Sequence, residues 1–282
     1  MRMNFFKPSK SNLLVIQLMG GLGNQLFQFA NGVSLAIKYE KEIAFEMVDV
    51  KRKYALGDFG LSQNIIYKIE IKEENSLILH EMTSLEASNK EMISLLNERT
   101  FTFQELEIPP NNARVVGYFQ SHKYFAEIST SIKNYFNNFF NKNFADVNCK
   151  NSEAIVHVRL GDYFNDEKTR EYHGLLEENY FLEAFKYFVG KKIMIVTESE
   201  KELVEAYPKL YDLASEVISE TPIRDFARLS SAKQLIISNS SFSWWAAYLS
   251  KARVVAPKQW FSPKVLEKNP TKDLFPLEWI QI

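Results

Sequence analysis

Leu13 to Leu18 is a strand-length apolar run that breaks at Met19-Gly20-Gly21-Leu22-Gly23-Asn24-Gln25, after which Leu26, Phe29, Ala30, Val33 and Ile37 recur as one face of a helix. A strand, a glycine turn and a helix in succession constrain the fold class strongly, since this order is how α/β domains build a ligand crevice. The glycines, Gly21 and Gly23 among them, let backbone approach a ligand and leave N–H groups at a helix start, where negative charge is stabilised. The turn lacks the lysine of a P-loop and the spacing of a dinucleotide fingerprint, and no acidic residue follows at the distance a Rossmann oxidoreductase needs. Asn24 and Gln25 are suited either to sugar hydroxyls or to helix capping.

The rest of the chain keeps the alternation. Strands are expected at Ile43 to Val48, Val115 to Gln120, Ile193 to Thr197, near Val217, at Gln234 to Ser238 and at Ala252 to Ala256. Tyr124, Phe125, Ile128, Ile132, Tyr135, Phe136 and Phe139 fall at helical spacing and read as core. Tyr180, Phe181, Ala184, Phe185 and Phe188 mark another helix face, and Thr221-Pro222 opens a third. Between about Lys51 and Asn112 the pattern is mixed and charge-rich, and it assigns no elements; it is expected to form the variable wall of an acceptor site. The polar stretch Asn141 to Ser152 is the expected linker. The class is therefore α/β, with a mostly parallel sheet in each half, residues 1–150 and 151–282.

Two later stretches concentrate chemistry. In AIVHVRLGDYF, Ala154 to Phe164, an apolar strand runs into a Gly-Asp turn, and alternation places His157 and Arg159 on one face with Val156, Val158 and Leu160 on the core face. Arg159 at the carboxyl end of a central strand suits a phosphate; the alternative is a structural ion pair with Asp162. In SNSSFSWWAAYL, Ser238 to Leu249, hydroxyls and amide hydrogens gather at a helix start, an anion site without a lysine. Asn239, Ser240 and Ser241 offer more donors than one cap needs, whereas Trp244 and Trp245 read as core.

Bulk properties exclude several classes. The 282 residues carry 34 basic and 35 acidic side chains, a formal net charge of −1, which gives no general electrostatic case for nucleic acid or an anionic membrane. The one cysteine, Cys149, rules out an intrachain disulfide framework and fits a reducing compartment. No run reaches the roughly 18 apolar residues of a spanning helix. The expected location is cytoplasmic, with peripheral attachment at the inner membrane face as the alternative.

Taken together, MGGLGNQLFQFA (19–30), GYFQSHKYF (117–125), HVRLGDY (157–163), YHG (172–174), SNSSFSWWAAYL (238–249) and PKQWF (257–261) resemble glycosyltransferase family 11, the bacterial and animal α-1,2-fucosyltransferases. The motifs stand in the family's order and span nearly the whole chain after Lys10. The resemblance implies a GT-B-like fold of two Rossmann-like domains facing across a cleft, 1–150 on the acceptor side and 151–282 binding the donor. It implies GDP-fucose as donor, an oligosaccharide with terminal galactose, lipid-linked in some relatives, as acceptor, and inversion at the anomeric carbon.

Carried over by position, Arg159 matches the arginine on the donor diphosphate and His157 its companion near the nucleotide. Ser240 and Ser241, beside Asn239, match the phosphate-binding turn. Asp225 matches an aspartate facing the guanine amide edge, and Asn24 matches a Gly-Asn-Gln segment beside the reacting centre. Two departures stand out. The family usually has a second arginine where this chain has Leu160, and Thr197-Glu198-Ser199-Glu200 stands where a Ser-Asp-Asp segment is usual. No Asp-x-Asp metal motif occurs, so no cofactor or divalent ion is expected, and Arg159 with the helix start at Ser240 is expected to compensate the leaving charge. Asp162, His173 and Asn24 are the candidates for handling the acceptor proton. The competing readings are a related fucosyltransferase with another acceptor or linkage, and a nucleotide- or carbohydrate-binding module without turnover.

Overall fold

The computed structural model describes residues 12–85, 94–147 and 153–282. The chain divides into two compact units, Met1–Tyr135 and Phe136–Ile282. Cys149 and most of the extension before the first strand lie outside the described residues, as does the end of the expected linker; its first residues, to Asn143, are helical.

The first unit is built on β1 (Leu13–Leu18), α1 (Leu22–Lys38), β2 (Glu42–Met47), β3 (Ile65–Lys72), β4 (Ser76–Ser84), β5 (Ser94–Asn97) and β6 (Ala113–Val116). Its sheet runs β4-β3-β2-β1-β6-β5. β1 pairs in parallel with β2 and β6, and β5 with β6, whereas β3 and β4 add antiparallel strands at one edge. That hairpin lies in the charge-rich middle region, and only Ile66, Tyr67 and Leu77 of its two strands are buried, so no core pattern announced it. Leu13, Leu14, Val15 and Ile16 are wholly buried because a central parallel strand is covered on both faces. α1 packs so closely there that a Cβ built at Gly32 would stand 2.5 Å from Ile16 Cγ1.

The expected strand at Val115 to Gln120 ends at Val116 instead, and the next residues form a turn in which Phe119 takes a left-handed φ of 51°. A segment of 3-10 helix, His122–Ile128, leads into α2 (Ser129–Asn143), and the aromatic face of both is largely core as expected.

The second unit contains β7 (Glu153–Val158), α3 (Asp162–Asn165), α4 (Glu167–His173), α5 (Glu178–Phe185), β8 (Lys192–Thr197), α6 (Glu200–Ala206) and α7 (Pro208–Leu213). β9 (Ala214–Ile218), α8 (Pro222–Ser231), β10 (Gln234–Ile236), α9 (Ser241–Leu249), β11 (Arg253–Ala256), α10 (Pro263–Leu266) and β12 (Ile280–Gln281) complete it. Its sheet, β12-β11-β10-β7-β8-β9, is parallel throughout. Val156, Val158 and Leu160 sit in a core with Phe181, Ile195, Leu203 and Val255, so Leu160 is fully buried, as the alternation of the strand requires. Trp244 and Trp245 are also fully buried, as core residues should be.

In each sheet the earliest strand lies in the middle and later strands are added on both sides, so the chain changes direction between β1 and β6 and between β7 and β10. Open α/β sheets bind ligands outside the carboxyl ends of their strands at such switch points. Gly32→Ala tests the tight packing behind the first: overpacking costs about 1–3 kcal/mol against about 1 kcal/mol gained in helix propensity. A net loss of stability in urea unfolding is the expected outcome.

Candidate functional site

At the β7/β10 switch point the residues that follow the strands are the ones the motifs single out. Arg159 lies immediately beyond β7, Glu198 immediately beyond β8, and Ser238 to Ser240 lead from β10 into Ser241, the first residue of α9. The Arg159 guanidinium is ion-paired with both Asp162 and Glu198, and it lies 5.2 Å from the centroid of the Tyr163 ring. The ion pair with Asp162 foreseen as the structural alternative is therefore present. Burial disfavours the Arg159 charge, but the Glu198 and Asp162 carboxylates outweigh it and hold the guanidinium more basic than usual. All three side chains keep some exposure, 23% for Arg159, 27% for Asp162 and 37% for Glu198, so an incoming anion can compete for the cation.

Glu198 was legible only as a departure from the family pattern, and the structure gives it a second task. Its other oxygen accepts the Leu160 N–H at 3.1 Å, while Glu202 accepts the Gly161 N–H at 3.0 Å. Two carboxylates thus occupy the amides of the turn after β7. Glu198 and Glu202 together clamp Arg159 and its turn, and among the described residues no cluster of His, Cys, Asp or Glu is arranged to hold a metal ion.

The α9 end differs. Ser240 is the N-cap, yet its side chain makes no capping hydrogen bond. Among the described residues, neither the Ser240 nor the Ser241 hydroxyl engages a protein partner, and the Ser241, Phe242 and Ser243 amides find no backbone acceptor. Donors aligned with a helix dipole and unspent on the protein suit an anion. Asn239 is committed elsewhere: its Nδ2 donates to the carbonyls of His173 and Gly174, both at 3.0 Å, and of Trp260 at 3.3 Å, tying those loops to the turn. His173 is itself stacked on Tyr163 at 4.5 Å between ring centroids.

His157 corrects the expectation of a chemistry-bearing strand face. A central parallel strand is covered on both sides, and His157 is only 3% exposed, with Nδ1 2.8 Å from the Ser238 hydroxyl and its ring against Phe242. Burial, reinforced by Arg159 and opposed by Glu198, pushes its pKa down to about 4, so it is a neutral imidazole supporting the serine turn from below. Asp225, in the first turn of α8, is also buried and accepts the Glu220 N–H at 3.3 Å. Burial raises its carboxyl to about 6. Its neighbour Phe226 packs edge-on to Phe242, which brings the Asp225 end of α8 beside the start of α9.

At the β1/β6 switch point, Asn24 stands in the first turn of α1 and its Oδ1 accepts a hydrogen bond from Gln120 Nε2 at 2.8 Å. Gly20 has φ 76°, and a Cβ there would fall 2.5 Å from Asn24 Nδ2, so the glycine makes room for the asparagine. Gly21 is exposed at the N-cap and Gly23 is buried in the first turn. Gln25 does not face a ligand: fully buried, it donates to the Gly20 and Lys53 carbonyls and accepts the Ala55 N–H. Gln28 similarly brackets Met19, donating to its carbonyl and accepting its N–H.

The two shifted groups have opposite effects on stability. The native His157 binds fewer protons than an unfolded histidine between about pH 6.5 and 4, so its contribution is lost as pH falls through that window, by about 3 kcal/mol in total. The native Asp225 binds more protons than an unfolded aspartate, so its protonation below about pH 6 favours the fold. Urea midpoints followed from pH 7 to 4 should therefore fall more steeply for Asp225→Asn than for the wild type, and less steeply for His157→Asn.

An α-1,2-colitosyltransferase of Escherichia coli is 27% identical over 292 residues, covering 96% of this chain and 99% of that protein. The O-antigen biosynthesis glycosyltransferase WbnK of Escherichia coli is 26% identical, covering 87% of this chain and 94% of its own length. Among solved structures, the fucosyltransferase NodZ from Bradyrhizobium aligns with a TM-score of 0.45 and 13% identity over 86% of this chain and 94% of that one. Among the described residues no helix is long and apolar enough to cross a membrane. The model of glycosyl transferase family 11 matches residues 3–282, and the chain belongs to that family of glycosyltransferases.

Proposed function

We propose that this glycosyltransferase moves L-fucose from GDP-fucose to a galactose hydroxyl of an oligosaccharide, forming an α-1,2 linkage with inversion. The observation that carries the reading is the pairing, at one switch point, of a guanidinium beyond β7 with the unspent amides and hydroxyls at the start of α9.

In this reaction the bond between fucose C1 and the β-phosphate oxygen breaks, its electron pair leaving with GDP. The acceptor oxygen bonds to C1 from the opposite face, and its proton passes to solvent water. Arg159 and the α9 start meet the charge on the departing diphosphate, a fixed arrangement of donors that favours the transition state over the ground state. Asp162 and Glu198 hold Arg159 until the diphosphate competes for it. Asp225 accepts the guanine N–H groups, and His157 supports the serine turn. Asn24 orients the reacting hydroxyl. Because Arg159 and the helix start supply the compensation, the reaction requires no divalent ion.

A second reading concerns the donor sugar. Colitose is fucose without its 3-hydroxyl, and a relative of nearly equal length bears the name of a colitosyltransferase. GDP-fucose and GDP-colitose offered side by side, with linkage analysis of the product, separate the two readings; saturable binding without GDP release from either would leave a binding module.

Two outcomes are expected from assays of GDP release with a terminal β-galactoside. Arg159→Ala should remain folded and lose about 10²- to 10³-fold in rate, and EDTA should leave the wild-type rate unchanged. Turnover of Arg159→Ala near the wild-type value, or abolition by EDTA, would remove the central role of this charge. GDP affinity should also weaken as pH falls through about 6, where Asp225 takes up a proton, and calorimetry should find that dependence flattened in Asp225→Asn.

A further inference from the structure

We infer that Glu98 is a positioning residue for Asn24, acting through the turn after β6 and through Gln120; the inference rests on the proposed placement of Asn24 beside the reacting hydroxyl. Glu98 follows β5, the edge strand next to β6, and its N–H donates to the Val116 carbonyl at 2.8 Å, which brings its side chain against the next turn. Its carboxylate accepts the Tyr118 N–H at 2.7 Å and the Phe119 N–H at 3.1 Å through both oxygens. Contact is so close that a Cβ built at Gly117 would fall 2.4 Å from Glu98 Cβ.

The turn needs such a clamp. Phe119 holds a left-handed φ of 51° with its ring fully buried, a backbone region that is unfavourable for any residue but glycine. Backbone held off its preferred region persists only where its surroundings over-determine it, and such residues cluster at functional sites. Here the next residue is Gln120, whose amide nitrogen donates to Asn24 Oδ1 across the switch point. The bond fixes which end of the Asn24 amide is oxygen and which is nitrogen. Glu98 thus holds the backbone of Tyr118 and Phe119, from which the next residue, Gln120, reaches Asn24 in the first turn of α1, and the clamp is a carboxylate that offers acceptors only.

Glu98→Gln keeps the shape but turns one acceptor into an N–H₂ group facing the turn amides. The expected result is a loss of about 10- to 100-fold in kcat with little change in KM for GDP-fucose, and Gln120→Ala should give the same signature without touching the clamp. In an Asn24→Ala background, which is itself slow, neither substitution should lower kcat further. Amide hydrogen exchange in Glu98→Gln should rise both at 117–121 and at 20–25. Full additivity on Asn24→Ala, an unchanged kcat, or faster exchange confined to 117–121 would overturn the inference. A wild-type chain that transfers no sugar, or an Asn24→Ala variant with full activity, would instead overturn the reading on which it rests, and the exchange measurement would still report whether Glu98 reaches Asn24.

Discussion

A parallel strand covered on both faces has no room for chemistry along its length, and that constraint shapes the whole molecule. β1 and β7 are buried from end to end apart from Gln17 and Glu153, so whatever acts on a ligand must come just past their carboxyl tips. Arg159, the serines before α9 and Asn24 all obey it. His157 shows the rule from the other side: one residue short of the tip, it is enclosed and neutral, and its contribution passes through Ser238.

Charge at the tips is balanced before any substrate arrives. Arg159 holds two carboxylates, and the amides beside it are taken by Glu198 and Glu202. Such a cluster keeps a cation in place without stranding it, since an isolated guanidinium in a half-buried site would be costly. The α9 start carries the complementary arrangement, donors with no acceptor of their own. A diphosphate that reached both would exchange one set of negative partners for another at the arginine while filling open positions at the helix.

Much of this was legible from residue order. LLVIQL, the glycine turn and the amphipathic run after it fix β1 and α1 closely, and Thr221-Pro222 marks the start of α8. The Gly-Asp turn places Arg159 at a strand tip, and alternation assigns Leu160 to the core, where it is fully buried. What remained hidden depended on contacts between distant segments. Gln25 carries the same functional group as Asn24, and only the fold shows that its amide is consumed by the carbonyls of Gly20 and Lys53. Glu198 stood out only as a departure from the family pattern; its partner is 39 positions away. Glu98 belongs to a region with no usable periodicity, and the strand pattern at Val115 to Gln120 concealed the left-handed residue that stops the strand.

Ser240 carries a consequence for how this protein could be engineered. An N-cap serine that forms its capping bond typically contributes about 1 kcal/mol to a helix, and this one forgoes it. A homologue selected for heat resistance would gain by replacing it with aspartate, whose carboxylate both caps and complements the dipole. On the function proposed above, the same carboxylate would repel the donor diphosphate from the amides it had claimed. On that reading durability and turnover would pull against each other at this position, and a hydroxyl that forgoes its cap leaves the helix end open.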